Sequence, residues 1–167
     1  MDRRLLASLL RVPLYLPALG AVLPQALAEA EGGDFNGLVA LSVAVSGRVS
    51  ENFSLGMHFA VICAEDLPRL GPTHRKAAAA TRFGTAFTDL YTDACTAIAT
   101  RPVPEGFYQV PRADVPVLVL SGGLDPATPP RHGASVAERL GNARHVVSPH
   151  LGHGLSGQAC APRLITR

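Results

Sequence analysis

Val117-Leu118-Val119-Leu120 is a run of four apolar residues with no polar alternation, bounded by Pro116 on one side and Ser121-Gly122-Gly123 on the other. A strand with one wet face alternates polar and apolar residues. One without alternation is covered on both faces, as parallel strands in α/β folds are. Helices on both sides of such a strand are therefore expected. Thr128 followed by Pro129-Pro130 reads as a helix start, with a hydroxyl to cap free N–H groups and a proline whose missing N–H costs nothing in the first turn. Ala134, Ala137 and Leu140 recur at helical spacing, Gly141-Asn142 supplies a stop, and His145-Val146-Val147 resumes as a second short strand. A strand, helix, strand crossover makes the two strands parallel, with a right-handed connection.

That topology brings two distant side chains to one place. Asp125 follows the first strand and His153 follows the second, so both loops leave the same carboxyl edge of the sheet, where open α/β sheets bind their ligands. There a carboxylate can accept the Nδ1 proton of an imidazole and fix its tautomer, leaving Nε2 as a general base. Taken singly, each residue has a plainer reading. Asp before Pro commonly bonds nearby backbone N–H groups, and a histidine between Gly152 and Gly154 is only a loop residue. His145, His150 and His153 do not read as a zinc set, since His145 belongs to a strand and no carboxylate or thiolate stands at ligand spacing; no metal or other cofactor is expected.

Composition narrows the rest. The chain has 167 residues, of which 47% are hydrophobic and 17% charged, enough for one domain with a core but not for a second full domain. A net charge of +2 with scattered basic residues, 5% aromatics and no Trp leaves no footprint for nucleic acid. No apolar run reaches the roughly 18 to 20 residues of a membrane span. At the amino terminus Met1-Asp2-Arg3-Arg4, Leu5 to Leu10 and Ala26-Leu27-Ala28 imitate a secretory signal. Arg11 interrupts the apolar stretch, and Pro13, Pro17 and Pro24 break it, so short packed helices are expected instead. The compartment stays open.

Ala26 to Ala30 and Lys76 to Asp89 are rich in helix formers, the first closed by Gly32-Gly33 and the second preceded by Gly71-Pro72. Met57 to Ala64 is an apolar, partly β-branched run that reads as a short buried strand or helix whose end meets solvent at Glu65-Asp66. Residues 101 to 116 contain four prolines and read as a linker. The expected division is a helical segment over 1–108 and an α/β segment over 109–167. Cys63, Cys95 and Cys160 read first as small buried apolar residues, with one disulfide in an exported protein as the alternative.

The segment from Val115 to Arg167 resembles the carboxyl end of α/β-hydrolases, most closely aminopeptidases of the proline iminopeptidase and tripeptidyl aminopeptidase (TAP-like) type. The carrying residues are Pro116 to Pro130, Asn142-Ala143-Arg144-His145, Gly152-His153-Gly154 and Cys160 to Leu164. The resemblance implies a partial α/β-hydrolase fold, in which a helical cap precedes the last strand-helix-strand unit of the parallel sheet. It makes Asp125 the acid and His153 the base of a Ser-His-Asp triad. Gly33-Asp34-Phe35 and Cys63-Ala64-Glu65-Asp66 look like stretches of the cap in the same enzymes. Cap acids there hold the free amino terminus of a peptide substrate, which makes Glu65 and Asp66 the candidates here. Ile98 stands where the family's Cys-x-x-Trp-Pro would put Trp.

The larger departure concerns the nucleophile. These enzymes carry Ser in G-x-S-x-G upstream of the acid and the base. Asn52-Phe53-Ser54-Leu55-Gly56 lacks the first Gly, and Gly133-Ala134-Ser135-Val136-Ala137 falls after Asp125 in the expected crossover helix. The chain thus reads as the carboxyl portion of a serine hydrolase whose nucleophile elbow precedes residue 1, inactive alone. Two rivals stand beside that reading. One is a non-catalytic chain that pairs its open sheet edge with itself or a partner. The other is an esterase of the same fold, since specificity lives in the cap.

Overall fold

The computed structural model describes residues 2–50, 53–101 and 103–166, with the backbone alone over 46–50. Along the chain run α1 (Arg3–Arg11), a 3-10 turn (Val12–Tyr15), α2 (Pro17–Gly20), α3 (Leu23–Glu31), α4 (Asn36–Ser50) and α5 (Leu55–Val61). There follow a π turn (Ile62–Asp66), a 3-10 turn (Leu67–Arg69), α6 (Pro72–Ala79), α7 (Ala86–Thr96) and a 3-10 turn (Glu105–Tyr108). The last part holds β1 (Val117–Gly122), α8 (Pro130–Ala137), β2 (Ala143–Ser148), a 3-10 turn (Leu155–Gly157) and α9 (Ala161–Ile165). The prolines near the amino terminus each sit in the first turn of a new element, where no N–H is needed. Among the described residues no helix is long and apolar enough to cross a membrane.

These elements form two compact units, Met1–Leu10 with Ser42–Phe107 and Arg11–Leu41 with Tyr108–Arg167. The chain changes unit between Phe107 and Tyr108. It also does so within α1 and within α4. Residues 11–41, grouped from sequence with the helical segment 1–108, belong to the unit that holds the strands. Local pattern is blind to this, because it records a helix but not its packing partner.

In the first unit the run Met57 to Ala64 is helical rather than extended. Ser54 caps α5 by accepting a hydrogen bond from Met57 N–H at 3.3 Å, and only Val61 and Ile62 in the run are β-branched. Nor is the run buried as a whole. Met57 is 67% exposed while Cys63 is 6% exposed. Glu65 is half-buried and Asp66 exposed, both on the π turn. The helix expected over Lys76 to Asp89 is two helices, parted by Gly84 at φ +58°, a left-handed conformation that favours glycine. A disulfide joins Cys63 on the π turn to Cys95 on α7, with Cα atoms 5.4 Å apart. This replaces the reading of both as free core thiols, while Cys160 is free and exposed. His58 Nε2 lies 3.4 Å from Tyr91 Oη, which ties α5 to α7 a second time.

In the second unit β1 and β2 pair in parallel, with Val117 opposite Ala143 and Gly122 opposite Ser148. Helix α8 crosses between them, ending at Ala137 rather than at Leu140. Its Gly133 lies so close to the sheet that a Cβ would stand 2.6 Å from Ser121 Oγ and 2.8 Å from His145 Nε2. Beneath it Ser121, 7% exposed, and His145 satisfy each other at 2.9 Å. Pro13, Leu23, Ala26, Leu38, Leu155 and Ala161 supply the buried apolar atoms of the unit. The expectation that β1 is covered on both faces does not hold, since Leu118, on the face turned away from Ser121 and α8, is 39% exposed. Apolarity of a strand reports the cover it is suited to, and α8 supplies that cover on one face only.

Candidate active site

The loop after β1 and the loop after β2 are laced together by their backbones. Gly123 N–H donates to Ser148 O at 2.7 Å and Leu124 N–H to Leu151 O at 3.0 Å. So close an approach tolerates no side chain at Gly122, where a Cβ would fall 2.5 Å from Leu151 O and closer still to Gly152 O. Gly122 and Gly123, whose Cβ would stand 2.6 Å from Pro149 O, are thus the reason the two loops can meet.

Asp125 stands at their junction with its side chain 6% exposed. Its Oδ1 accepts from Ala127 N–H at 2.8 Å and Thr128 N–H at 2.9 Å, and its Oδ2 accepts from Thr128 Oγ1 at 2.8 Å. His153 Nδ1 lies 2.9 Å from Oδ2 and 3.1 Å from Oδ1. The turn reading and the paired reading of this aspartate are therefore both true of one carboxylate. Burial raises the carboxyl's pKa, but the bonds from Thr128 N–H, Thr128 Oγ1, Ala127 N–H and His153 outweigh it and lower the value from 3.8 to about 2. An ionised carboxylate only accepts, so Nδ1 carries the proton and the neutral imidazole presents Nε2 as its acceptor. The imidazole is 42% exposed, and no hydroxyl among the described residues is bonded to Nε2.

Thr128 is the residue that sequence reasoning misplaced. Its hydroxyl does not cap α8, whose N-cap is Pro129 with no side-chain bond. It turns back to Asp125 instead. An Asp followed two and three positions later by donors is the Asx-turn signal, and the threonine hydroxyl completes it. Gln158 was not singled out either. Its amide donates to His153 O at 3.2 Å and Gly154 O at 3.1 Å, which holds the His153 loop in place. Glu65 and Asp66 lie in the other unit. No group of His, Cys, Asp or Glu that could hold a metal occurs among the described residues.

A family model described as TAP-like protein, one of the α/β-hydrolase families, matches residues 79–167, more than half of the chain. The chain belongs to the TAP-like α/β-hydrolases. No curated protein and no solved structure matches it. The matched segment of this TAP-like chain contains β1, α8, β2 and both loops, so family and geometry meet on the same residues.

The four bonds to Asp125 have a measurable consequence. Its pKa is lower folded than unfolded, so unfolding takes up a proton, and the stability this brings is complete above about pH 4 and lost as pH falls through about 2. At 1.36 kcal/mol per unit the contribution is roughly 2.5 kcal/mol. From this group, denaturant melts of the second unit at pH 6 and pH 2 are expected to differ by about 2 kcal/mol, since the carboxyl is only half protonated at pH 2. Thr128→Val removes one charge-assisted bond, about 1.5 kcal/mol, and should flatten that dependence while shifting the acid midpoint upward. An unchanged acid midpoint would mean that the hydroxyl does not reach the carboxylate.

Proposed function

We propose that this chain carries the acid and the base of a serine hydrolase of the aminopeptidase type, with the nucleophile supplied from outside residues 1–167. The observation that carries the proposal is the bond between His153 Nδ1 and a buried, ionised Asp125, which leaves Nε2 of a partly exposed imidazole as the acceptor. An imidazole held in that tautomer takes the proton of a serine hydroxyl as its oxygen attacks an acyl carbon. It then gives the proton to the departing amine, and Asp125 stabilises the imidazolium between the two steps. Water repeats the cycle on the acyl-enzyme. Among the described residues no hydroxyl is placed for this, and no serine in the sequence stands in G-x-S-x-G.

The family resemblance supports a peptide substrate with a free amino terminus, and in this proposal Glu65 and Asp66 are the carboxylates that meet its charge. No cofactor enters the chemistry. The purified chain is expected to give no turnover of aminoacyl or peptidyl chromogenic substrates or of the matching esters. Added or fused to a family segment bearing G-x-S-x-G, it should restore turnover that His153→Ala abolishes. Turnover by the chain alone, lost in His153→Ala, would refute the need for an outside nucleophile.

A second reading rests on Leu118, exposed on the face of the two-stranded sheet that α8 leaves open. A non-catalytic chain that joins a partner through that sheet would leave the same surface open. Sedimentation of a monodisperse monomer at micromolar concentration would argue against it.

A further inference from the structure

The Asp125 bond anchors His153 Nδ1, and the rotation that remains to the ring about Cβ–Cγ sets the point toward which Nε2 is aimed. A second contact addresses that rotation. Tyr15, at the end of the 3-10 turn after α1, meets the imidazole edge-on, with ring centroids 5.0 Å apart and planes at 70°. Its carbonyl accepts the His153 backbone N–H at 3.1 Å. A Cβ on the neighbouring Gly152 would collide with that carbonyl, so the base loop lies directly against the turn. The phenol is itself braced. Arg11 Nη2 donates to Tyr15 Oη at 3.1 Å, and the guanidinium carbon lies 5.8 Å from the ring centroid. Arginine and tyrosine four residues apart lie on one side of the helical turn, which makes the brace local and independent of the sheet.

We propose that Tyr15, held by Arg11, is a positioning residue that sets the plane of the His153 imidazole and hence the aim of Nε2. The assignment rests on the reading of His153 as the base. The backbone bond survives any side-chain change, so ring and carbonyl can be separated by substitution. Tyr15→Phe keeps the edge contact and loses the Arg11 bond; Tyr15→Ala loses both.

The test uses the full chain with ¹⁵N-labelled histidine. Long-range ¹⁵N–¹H spectra report the His153 tautomer, and the exchange of its Nδ1 proton with water reports how firmly the ring is held. In Tyr15→Ala exchange is expected to rise roughly two- to ten-fold, with the two tautomers mixing. In Tyr15→Phe, which keeps the ring but not the Arg11 bond, exchange should rise about two-fold, well short of the Ala variant, with the tautomer unchanged. Unchanged β1–β2 amide protection confirms that the unit is folded in each case. Parent-like exchange and tautomer in a folded Tyr15→Ala would overturn the proposal, as would a Phe variant as impaired as the Ala variant. Should Tyr15→Ala lose sheet protection, Arg11→Met decides: exchange rising about two-fold supports the brace, and no change overturns it. None of these readouts needs turnover. A chain that never takes part in hydrolysis would refute the proposed function and leave the Tyr15 assignment standing, and a rigid imidazole in Tyr15→Ala would do the reverse.

Discussion

His153→Ala in a nucleophile-complete form of this hydrolase is expected to lower kcat by roughly 10⁴- to 10⁶-fold, with little change in KM. The size follows from what the imidazole does. It removes a proton from a hydroxyl that is otherwise almost fully protonated at neutral pH, and it returns that proton to an amine that cannot leave as an anion. Both steps pass through the one ring nitrogen, Nε2, that Asp125 does not hold. Asp125→Asn is expected to cost about 10⁴-fold for a different reason. An asparagine can offer N–H where the carboxylate accepts, which permits the imidazole to reverse its tautomer and present a donor to the serine. The substitution also loses the charge that Ala127 N–H, Thr128 N–H and Thr128 Oγ1 converge on, so a melt of the variant must accompany the kinetics. Steady-state rates on a peptidyl chromogenic substrate check both variants. A loss under ten-fold in His153→Ala would remove the imidazole from the mechanism.

The second large effect concerns the first unit. Cys63 and Cys95 are 32 residues apart in sequence, and closing a loop of that length removes about 3 to 4 kcal/mol of chain entropy from the unfolded ensemble. Replacing both cysteines by serine should destabilise the unit by a comparable amount. The α5–α7 contact of His58 with Tyr91 is weak at 3.4 Å and does not substitute for the covalent link. Hydrogen exchange resolves the prediction by location. Amides of α5 and α7 should lose protection in the double variant, while those of β1 and β2, in the other unit, keep theirs. Equal protection with and without the bond would show that it does not constrain the native helices. Such a bond persists in oxidising compartments, so the stability of this unit is tied to where the chain folds.

Much of the second unit was legible because its signals are local. Val117 to Leu120 lacks alternation, Pro129-Pro130 can only open a helix, and His145-Val146-Val147 is β-rich. Together these specify strand, helix and strand, and chirality then specifies parallel pairing. Once both strands run the same way, residues just past their ends share an edge, and Asp125 meets His153 without further assumption. Thr128 was misread because a hydroxyl before two prolines serves a helix cap and an Asx turn equally well. Which it chooses depends on whether a carboxylate has been brought within reach.

The helical part was less legible. Good helix formers between Lys76 and Asp89 gave no sign that Gly84 takes a left-handed φ. Three cysteines allow three pairings, and only the folding of the π turn against α7 selects one. Residues 11–41 carry no mark in their own pattern of the unit they join, although Tyr15 among them packs edge-on to the His153 ring.

By itself, then, the sequence determined the strand-helix-strand order, the edge on which the acid and the imidazole emerge, and the family, because each is encoded in residues adjacent along the chain. Tertiary structure alone decided which cysteines pair, where the Thr128 hydroxyl turns and which ring flanks His153. Those contacts join residues far apart or with several local options, and their free energy appears only when the surrounding elements have already packed.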